Sequence, residues 1–189
     1  MSKSLIHAIR GELTLYNFAD SEAARSEVIA GITRLVERFS ILVRLDEEDI
    51  NPKDVDLHKA VEQVVAAFDE ARLETDLKKV VIPGDLELLE TLAYELIGNS
   101  LLFSEGNVQV SMHITESHAV LRVEDSGDGL PAYAIEHIAE PFVASDHPKS
   151  GHGLGLAIAW AIVQAHDGAM SIHNKLDGGT TVLVTLNLF

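Results

Sequence analysis

Cysteine is absent from the 189-residue sequence, which excludes disulfide bonds and thiolate metal sites. The sequence also has no apolar run near the roughly 20 residues that a membrane-spanning helix needs. The apolar stretch in the opening segment "MSKSLIHAIRGE" is too short for a signal peptide. These absences fit a reducing compartment, and they predict a cytoplasmic protein with no direct membrane insertion in this chain.

Basic residues are scarce, since 14 Lys and Arg face 30 Asp and Glu, for a net charge of −16. Nucleic-acid phosphates require a basic surface, so the balance predicts no nucleic-acid partner. An acidic surface also favours solubility. An acidic protein can still bind a nucleotide when backbone amides and a metal ion hold its phosphates.

The first 45 residues show helical periodicity in two runs. The first run comprises Ile6, Ile9, Leu13 and Tyr16, and the second Val28, Ile32, Leu35, Phe39 and Leu42. Spacings of three and four predict two amphipathic helices, with Asp20 as the N-cap of the second. A lone hairpin buries its apolar stripes poorly, so we expect a homodimeric four-helix bundle. Packing against the rest of the same chain is the alternative.

A charged segment with one proline, residues 46–54, breaks this pattern and predicts a linker. We therefore expect two domains, residues 1–50 and 51–189. In the second, helices are predicted at 55–74, 85–104, 131–139 and after 155, and strands at 78–84, 107–115, 118–125, 169–175 and 180–189. This mixture predicts an α/β sandwich with helices on one face of a sheet, and an α+β fold overall.

The helix at 85–104 carries polar side chains beside its apolar stripe. Asn99 falls in the stripe, and Glu95 lies one turn before it. A partly buried amide and carboxylate either form hydrogen bonds within the protein or bind a ligand. A structural pair at a sheet edge is the alternative to a binding site.

Two glycine-rich segments follow. In "VEDSGDGLP", a predicted strand runs into Asp125, Gly127 and Gly129, where glycine permits positive φ and close backbone approach, as it also does in a plain turn. In "GHGLGL", residues 151–156, three glycines precede a helix. The first amides of a helix lack internal partners and favour an anion, so this segment predicts a phosphate cradle that needs no lysine.

Taken in order, these segments resemble the ATP-binding domain of sensor histidine kinases, in the superfamily that includes DNA gyrase, Hsp90 and MutL. The segment 84–104 is similar to the N box, "EDSGDG" to the first Gly box, "EPF" to the F box and "GHGLGL" to the second Gly box. The resemblance covers residues 55–189. It implies an α/β sandwich of the histidine kinase/gyrase/Hsp90 ATPase type.

The resemblance also implies site roles, with ATP and Mg²⁺ as cofactors. Asp125 would accept a hydrogen bond from the adenine amino group, helped by Gly129 and Thr180. Asn99 would hold Mg²⁺, and Glu95 would be the activating residue. The remaining implied ATP-binding residues are Gly127, Gly151, Gly153, Leu154, Gly155 and Leu156. Residues from about 130 to 150 would form a lid over the nucleotide.

The first 45 residues resemble the dimerisation and phosphoacceptor hairpin of the same family. "HAIRGELT" is similar to the H box, with His7, Arg10 and Leu13 matching. The resemblance implies a two-component histidine kinase core, cytoplasmic or the cytosolic part of a larger sensor. It would phosphorylate His7 from Mg·ATP and pass the phosphoryl group to the receiver domain of a response regulator.

Four residues depart from the family pattern. Ala8 replaces an acid, Gly11 a Thr or Asn, Glu12 a Pro, and Leu102 a Lys or Arg. Two alternative functions therefore stay open. One is a non-catalytic histidine phosphotransfer or scaffold protein with this fold, and the other is an anti-sigma-type Ser/Thr kinase in which His7 is incidental.

Overall fold

The chain begins with a helical hairpin, α1 (Ser2–Phe18) and α2 (Glu22–Glu47). This is a computed structural model, and it describes residues 2–47, 50–68, 70–143 and 152–189. The elements that follow are β1 (Lys53–Asp56), α3 (Leu57–Phe68), β2 (Leu73–Leu77), β3 (Val81–Gly84), α4 (Leu86–Phe103), β4 (Val108–Ile114), β5 (His118–Glu124), α5 (Ala132–Glu136), α6 (Gly155–Ala165), β6 (Ala169–Asn174) and β7 (Thr180–Asn187). No helix in these ranges is long and apolar enough to cross a bilayer.

A five-stranded sheet in the order β2-β4-β5-β7-β6 forms the centre of the second part of the chain. Strands β2 and β4 are parallel, and the other pairs are antiparallel. Alternate residues of the central strands are buried and in register, so that Val110, Val123 and Val182 form one row across the sheet. Helices α3, α4 and α6 pack on the sheet and on one another. The predicted α+β fold, a helical hairpin followed by an α/β sandwich, is confirmed.

Two strands were not predicted. The helix expected at 55–74 is shorter, because β1 occupies its first residues and β2 its last. Strand β1 also lies partly within the predicted linker. Both strands depend on distant partners, since β1 pairs with β3 and β2 pairs with β4. Tertiary pairing here overrides the local helical pattern.

The hairpin packs against its own chain through α2, which contacts α6. Leu35 and Leu42 of the predicted seam are buried in the common core. On α1, Ile6 and Leu13 of the predicted apolar run are 50% and 47% exposed within the single chain. Leu5, Ala8 and Ile9 contact the core instead.

The predicted cap of α2 was also wrong by one residue. The hydroxyl of Ser21 accepts the Ala24 amide at 3.1 Å, and the helix begins at Glu22. Ser21 is therefore the N-cap, because its oxygen satisfies an amide that has no helical partner.

Candidate functional site

A pocket lies among α4, the end of β5, the start of β7 and the amino end of α6. Eight predicted site residues line it: Asn99, Asp125, Gly129, Gly153, Leu154, Gly155, Leu156 and Thr180. Glu95 and Gly127 lie beside it and contact lining residues. Gly151 lies outside the described residues. The fold thus brings together segments that are far apart in the sequence.

Asp125 follows the last residue of β5 and is only 6% exposed. Its Oδ1 accepts the amides of Gly127 at 2.9 Å and Thr180 at 3.1 Å. Its Oδ2 accepts one longer hydrogen bond, from the Ser100 hydroxyl at 3.4 Å. The carboxylate is therefore fixed in orientation, and Oδ2 retains capacity to accept a hydrogen bond from a ligand.

The turn after Asp125 requires glycine at Gly127 for steric reasons. A Cβ there would collide with the carbonyl oxygen of Phe103. Gly129, two residues on, has φ of +82°, a conformation that glycine adopts readily. The "DSGDG" segment is thus held against the end of α4, where it forms one wall of the pocket.

Glu95 and Asn99 project from consecutive turns of α4. Glu95 is 6% exposed, and its Oε2 lies 2.5 Å from Nη2 of Arg38 in α2. Burial raises the pKa of the Glu95 carboxyl above its ordinary value, and this effect outweighs the lowering effect of the Arg38 charge. Asn99 Nδ2 is buried with no hydrogen-bond partner in the described part of the chain. A buried amide without a partner is a rare feature and marks a position suited to ligand binding.

The amino end of α6 is pressed against this pair. A Cβ on Gly155 would lie 2.8 Å from Asn99 Nδ2 and 2.9 Å from Glu95 Oε2, so any larger residue would displace one of these side chains. The preceding residue, Leu154, makes no side-chain capping hydrogen bond. The first amides of α6 therefore have no side-chain cap, which is the arrangement that an anion can complete.

His7 lies apart from the pocket. It is exposed on α1 and is not among the residues that line the pocket. Glu12, the acid nearest to it in the predicted H box, has Oε1 3.0 Å from Nε2 of His152 instead. The structure therefore places the predicted nucleophile and the predicted nucleotide pocket at separate positions within one chain.

Two residues that link the hairpin to the pocket were not predicted. Arg38 lines the pocket, and His152 both lines it and contacts Glu12. Outside the lining, the ring centroid of Phe39 lies 6.0 Å from that of Phe142. A signal for Arg38 exists, because it follows Leu35 by three residues and precedes Leu42 by four. This spacing places it on the buried face of α2.

The predicted lid is described only in part. Residues 130–143 include the short helix α5, and the Leu130 amide donates to Asn174 Oδ1 at 2.8 Å. Phe142 has φ of +70° and donates its amide to the Gly153 carbonyl at 2.9 Å. Residues 144–150 lie outside the described ranges.

Comparison with known proteins shows which family this chain resembles. The family model for "Histidine kinase-, DNA gyrase B-, and HSP90-like ATPase" matches residues 84–189. The probable sensor histidine kinase TcrY of Mycobacterium tuberculosis is 34% identical over 202 residues, covering 96% of this chain and 42% of TcrY. The chain spans about two fifths of the length of the curated relatives it matches.

Solved structures share the architecture. The Acinetobacter baumannii histidine kinase AdeS has a TM-score of 0.76 at 23% identity, covering 98% of this chain and 96% of that one. Full-length ShkA, solved in complex with AMPPNP, has a TM-score of 0.68 at 24% identity, covering 96% of this chain and 42% of that one. At these identities, the likeness concerns the fold alone.

Proposed function

This chain belongs to the histidine kinase-, DNA gyrase B- and HSP90-like ATPase family as a histidine kinase catalytic core, and we propose that it binds Mg·ATP, phosphorylates itself on His7 and passes the phosphoryl group to the receiver domain of a response regulator. The single observation that carries this proposal is the pocket in which Asp125, Asn99 and the start of α6 meet. We further propose that residues 1–50 form the phosphoacceptor domain and residues 51–189 the ATP-binding domain. The reaction would take place in the cytoplasm, where ATP is available.

The pocket residues fit an adenine nucleotide at one end. Asp125 Oδ2 has capacity for a donor, and the adenine amino group is such a donor. Gly129 and Thr180 also line the pocket, and the Thr180 amide donates to Asp125 Oδ1. Gly127 fixes the carboxylate by donating its amide to Oδ1. Asp125 is therefore the residue that would select adenine.

The other end of the pocket fits phosphates and a metal ion. Gly153, Leu154, Gly155 and Leu156 bring backbone amides to the start of α6, and Gly151 precedes them in the sequence. Asn99 would hold Mg²⁺ through its side-chain oxygen, a ligand suited to a hard cation. Among the described residues no cluster of three Asp, Glu, His or Cys side chains could hold a metal, so Asn99 would share the ion with the phosphates. ShkA, which has the same fold, was solved with AMPPNP.

His7 has the exposure that a phosphoacceptor needs. A ring nitrogen of His7 would form a bond to the γ-phosphorus of ATP, the bond from that phosphorus to the β–γ bridging oxygen would break, and ADP would leave. Glu95 is suited to receive the imidazole proton, because burial raises its pKa and so makes its carboxylate a stronger base. Since His7 does not line the pocket of its own chain, the transfer requires either a rearranged hairpin or the pocket of a second copy.

We propose a homodimer formed through the hairpin. Ile6 and Leu13 on α1, and Ile29 and Val36 on α2, are each 46–52% exposed. Each pair is seven residues apart and so lies on one face of its helix, as in a four-helix bundle. A Leu13→Glu, Val36→Glu double variant should elute as a monomer in light-scattering chromatography, whereas the wild type should elute as a dimer.

Incubation with γ-labelled ATP tests the main proposal. We expect an acid-labile label on the wild type that His7→Gln abolishes and that His113→Gln, a change at an exposed histidine on β4, leaves intact. Nucleotide binding without any label would favour the phosphotransfer or scaffold protein. An acid-stable label on a partner hydroxyl, unaffected by His7→Gln, would favour the Ser/Thr kinase.

A further inference from the structure

Arg38 brings a positive charge from the hairpin into the nucleotide pocket. It is the only Lys or Arg among the described residues that line the pocket, where Asp125 and Glu140 are acidic. Leu102, one of the departures from the N-box pattern, also lines the pocket and carries no charge. Beside the backbone amides at the start of α6 and the proposed Mg²⁺, Arg38 is therefore the side-chain cation that α2 offers to bound phosphates.

The guanidinium of Arg38 has a donor without a partner. Its Nη2 contacts Glu95 Oε2, but its Nε is buried and makes no hydrogen bond within the described ranges. Asn99 Nδ2, in the same pocket, is the other buried side-chain nitrogen with this property. A buried N–H of a charged group is costly to leave unpaired, and a phosphate oxygen is an acceptor that would pair it.

The position of Arg38 corresponds to the phosphate end of the pocket. Glu95 Oε2 contacts Arg38 and would be 2.9 Å from a Cβ on Gly155, so Arg38 sits close to the amino end of α6. The adenine end is marked by Ser100, which donates to Asp125. Glu95 precedes Ser100 by five residues, about 7.5 Å along the axis of α4. Arg38 thus lies beyond Asn99, at the end away from the adenine position.

We infer that Arg38 is a ligand for the terminal phosphate of the bound nucleotide, so that the docked hairpin completes the site. This inference rests on the proposed function and adds a residue from outside the ATP-binding domain. The guanidinium has five N–H donors, so it can contact a phosphate while it pairs with Glu95. Because a phosphate and Glu95 share one cation, occupation of the site by a nucleoside triphosphate strengthens docking of the hairpin.

Calorimetric titration of the full chain with AMPPNP, ADP and adenosine, in the presence of Mg²⁺, tests this inference. For Arg38→Gln we expect AMPPNP affinity to fall by about 10- to 100-fold, as for one hydrogen bond to a charged group. ADP affinity should fall less, and adenosine affinity should not change. Arg38→Lys should be intermediate, because it retains the charge but lacks the planar fork. Arg44→Gln, on the same helix but outside the pocket lining, is the matched control and should bind as the wild type does.

The three ligands distinguish a direct contact between Arg38 and phosphate from a purely structural role of Arg38 in pairing with Glu95. Equal losses for AMPPNP, ADP and adenosine in Arg38→Gln, or no loss for any of them, would overturn the inference while leaving ATP binding intact. If Arg38→Gln fails to fold, Arg38→Lys gives the test. The inference would be overturned if the ratio of AMPPNP affinity to ADP affinity in Arg38→Lys equalled that of the wild type. A wild type that binds none of the three would reject the proposed function itself, and the inference with it.

Discussion

The carboxylate of Glu12, in α1, lies 3.0 Å from Nε2 of His152, although the two residues are 140 positions apart. His152 lines the proposed nucleotide pocket directly before Gly153. Together with the Arg38–Glu95 ion pair and the contact between Phe39 and Phe142, this interaction fastens the hairpin to the pocket. The helix that carries His7 is therefore linked mechanically to the segment proposed to hold the phosphates.

A double-mutant cycle on Glu12→Gln and His152→Gln should detect this link. We expect a coupling of about 0.5 to 1.5 kcal/mol in the free energy of unfolding, because the pair is partly exposed and makes one hydrogen bond. Urea denaturation of the wild type, both single variants and the double variant gives the value. Glu27→Gln, in the same cleft between hairpin and pocket, replaces Glu12→Gln in a control cycle with His152→Gln and should show no coupling. Additive effects of Glu12→Gln and His152→Gln on the free energy of unfolding would mean that the contact does not stabilise the docked hairpin.

Gly155→Ala should damage the nucleotide site, whereas Gly11→Ala should not. A Cβ at Gly155 would meet Asn99 and Glu95 atoms closer than van der Waals contact allows, so we expect a loss of about 1 to 3 kcal/mol in stability together with loss of nucleotide binding. A Cβ at Gly11, in the middle of α1, meets nothing within 4 Å. That variant should gain about 0.5 to 1 kcal/mol from higher helix propensity. Thermal melts and calorimetry check both, and unchanged binding in Gly155→Ala would contradict the proposed position of the phosphates.

Much of the sandwich was predictable because its elements carry strong local patterns. Strands β4 and β5 alternate buried residues with more accessible ones, and α4 has both an apolar stripe and an Asp85 cap that accepts the Leu88 amide at 3.1 Å. Strands β1 and β2 were missed because only their pairing with β3 and β4 makes them strands. Such pairing is a property of the assembled sheet and leaves little trace in five residues of sequence.

The candidate site was predictable in composition but not in its contacts with the hairpin. Asp125, Asn99 and the glycines were found because their order along the chain resembles a family pattern. Arg38 was not found, because its role depends on how α2 docks beside α4, and an arginine within a helix is usually a solvated residue. The burial of Glu95 against Arg38 likewise follows from docking rather than from local sequence.

His166 has a structural role that no sequence pattern predicts. Its Nε2 accepts the Asp85 amide at 3.0 Å, and its Nδ1 donates to the Ile162 carbonyl at 2.7 Å, so it ties the start of α4 to the end of α6. His166→Phe should cost about 1 to 3 kcal/mol, because both partners lose a buried hydrogen bond. His173→Gln, at an exposed position on β6, should change stability by less than about 0.5 kcal/mol in the same melts. Equal stability of the two variants would show that the tie contributes nothing.

Asp125→Asn should remove adenine selectivity while the fold persists. The carboxylate of Asp125 accepts hydrogen bonds through both of its oxygens, from Gly127, Thr180 and Ser100. The side-chain amide of an asparagine can accept only through its single oxygen. We expect ADP affinity to fall by about 10- to 100-fold and the preference for ADP over GDP to diminish. Asp128→Asn, an exposed change in the same loop, should leave both affinities unaltered. If Asp125→Asn retains the ADP preference, another residue selects the base.

Glu95 should make the stability of the chain depend on pH in an unusual direction for an acid. Because burial raises its pKa above the ordinary 4.5, the folded state holds the proton more tightly than the unfolded state does. This contribution to stability is complete below the unfolded pKa and is lost as the pH rises through the higher folded pKa. Glu95→Gln has no such proton to release, so its stability relative to the wild type should increase over the same window. Urea denaturation between about pH 4 and pH 8 measures the difference, with Glu116→Gln as an exposed control. If the wild type instead gains stability relative to Glu95→Gln as the pH rises, then the attraction of Arg38 outweighs burial, and the carboxylate is held ionised by the hairpin.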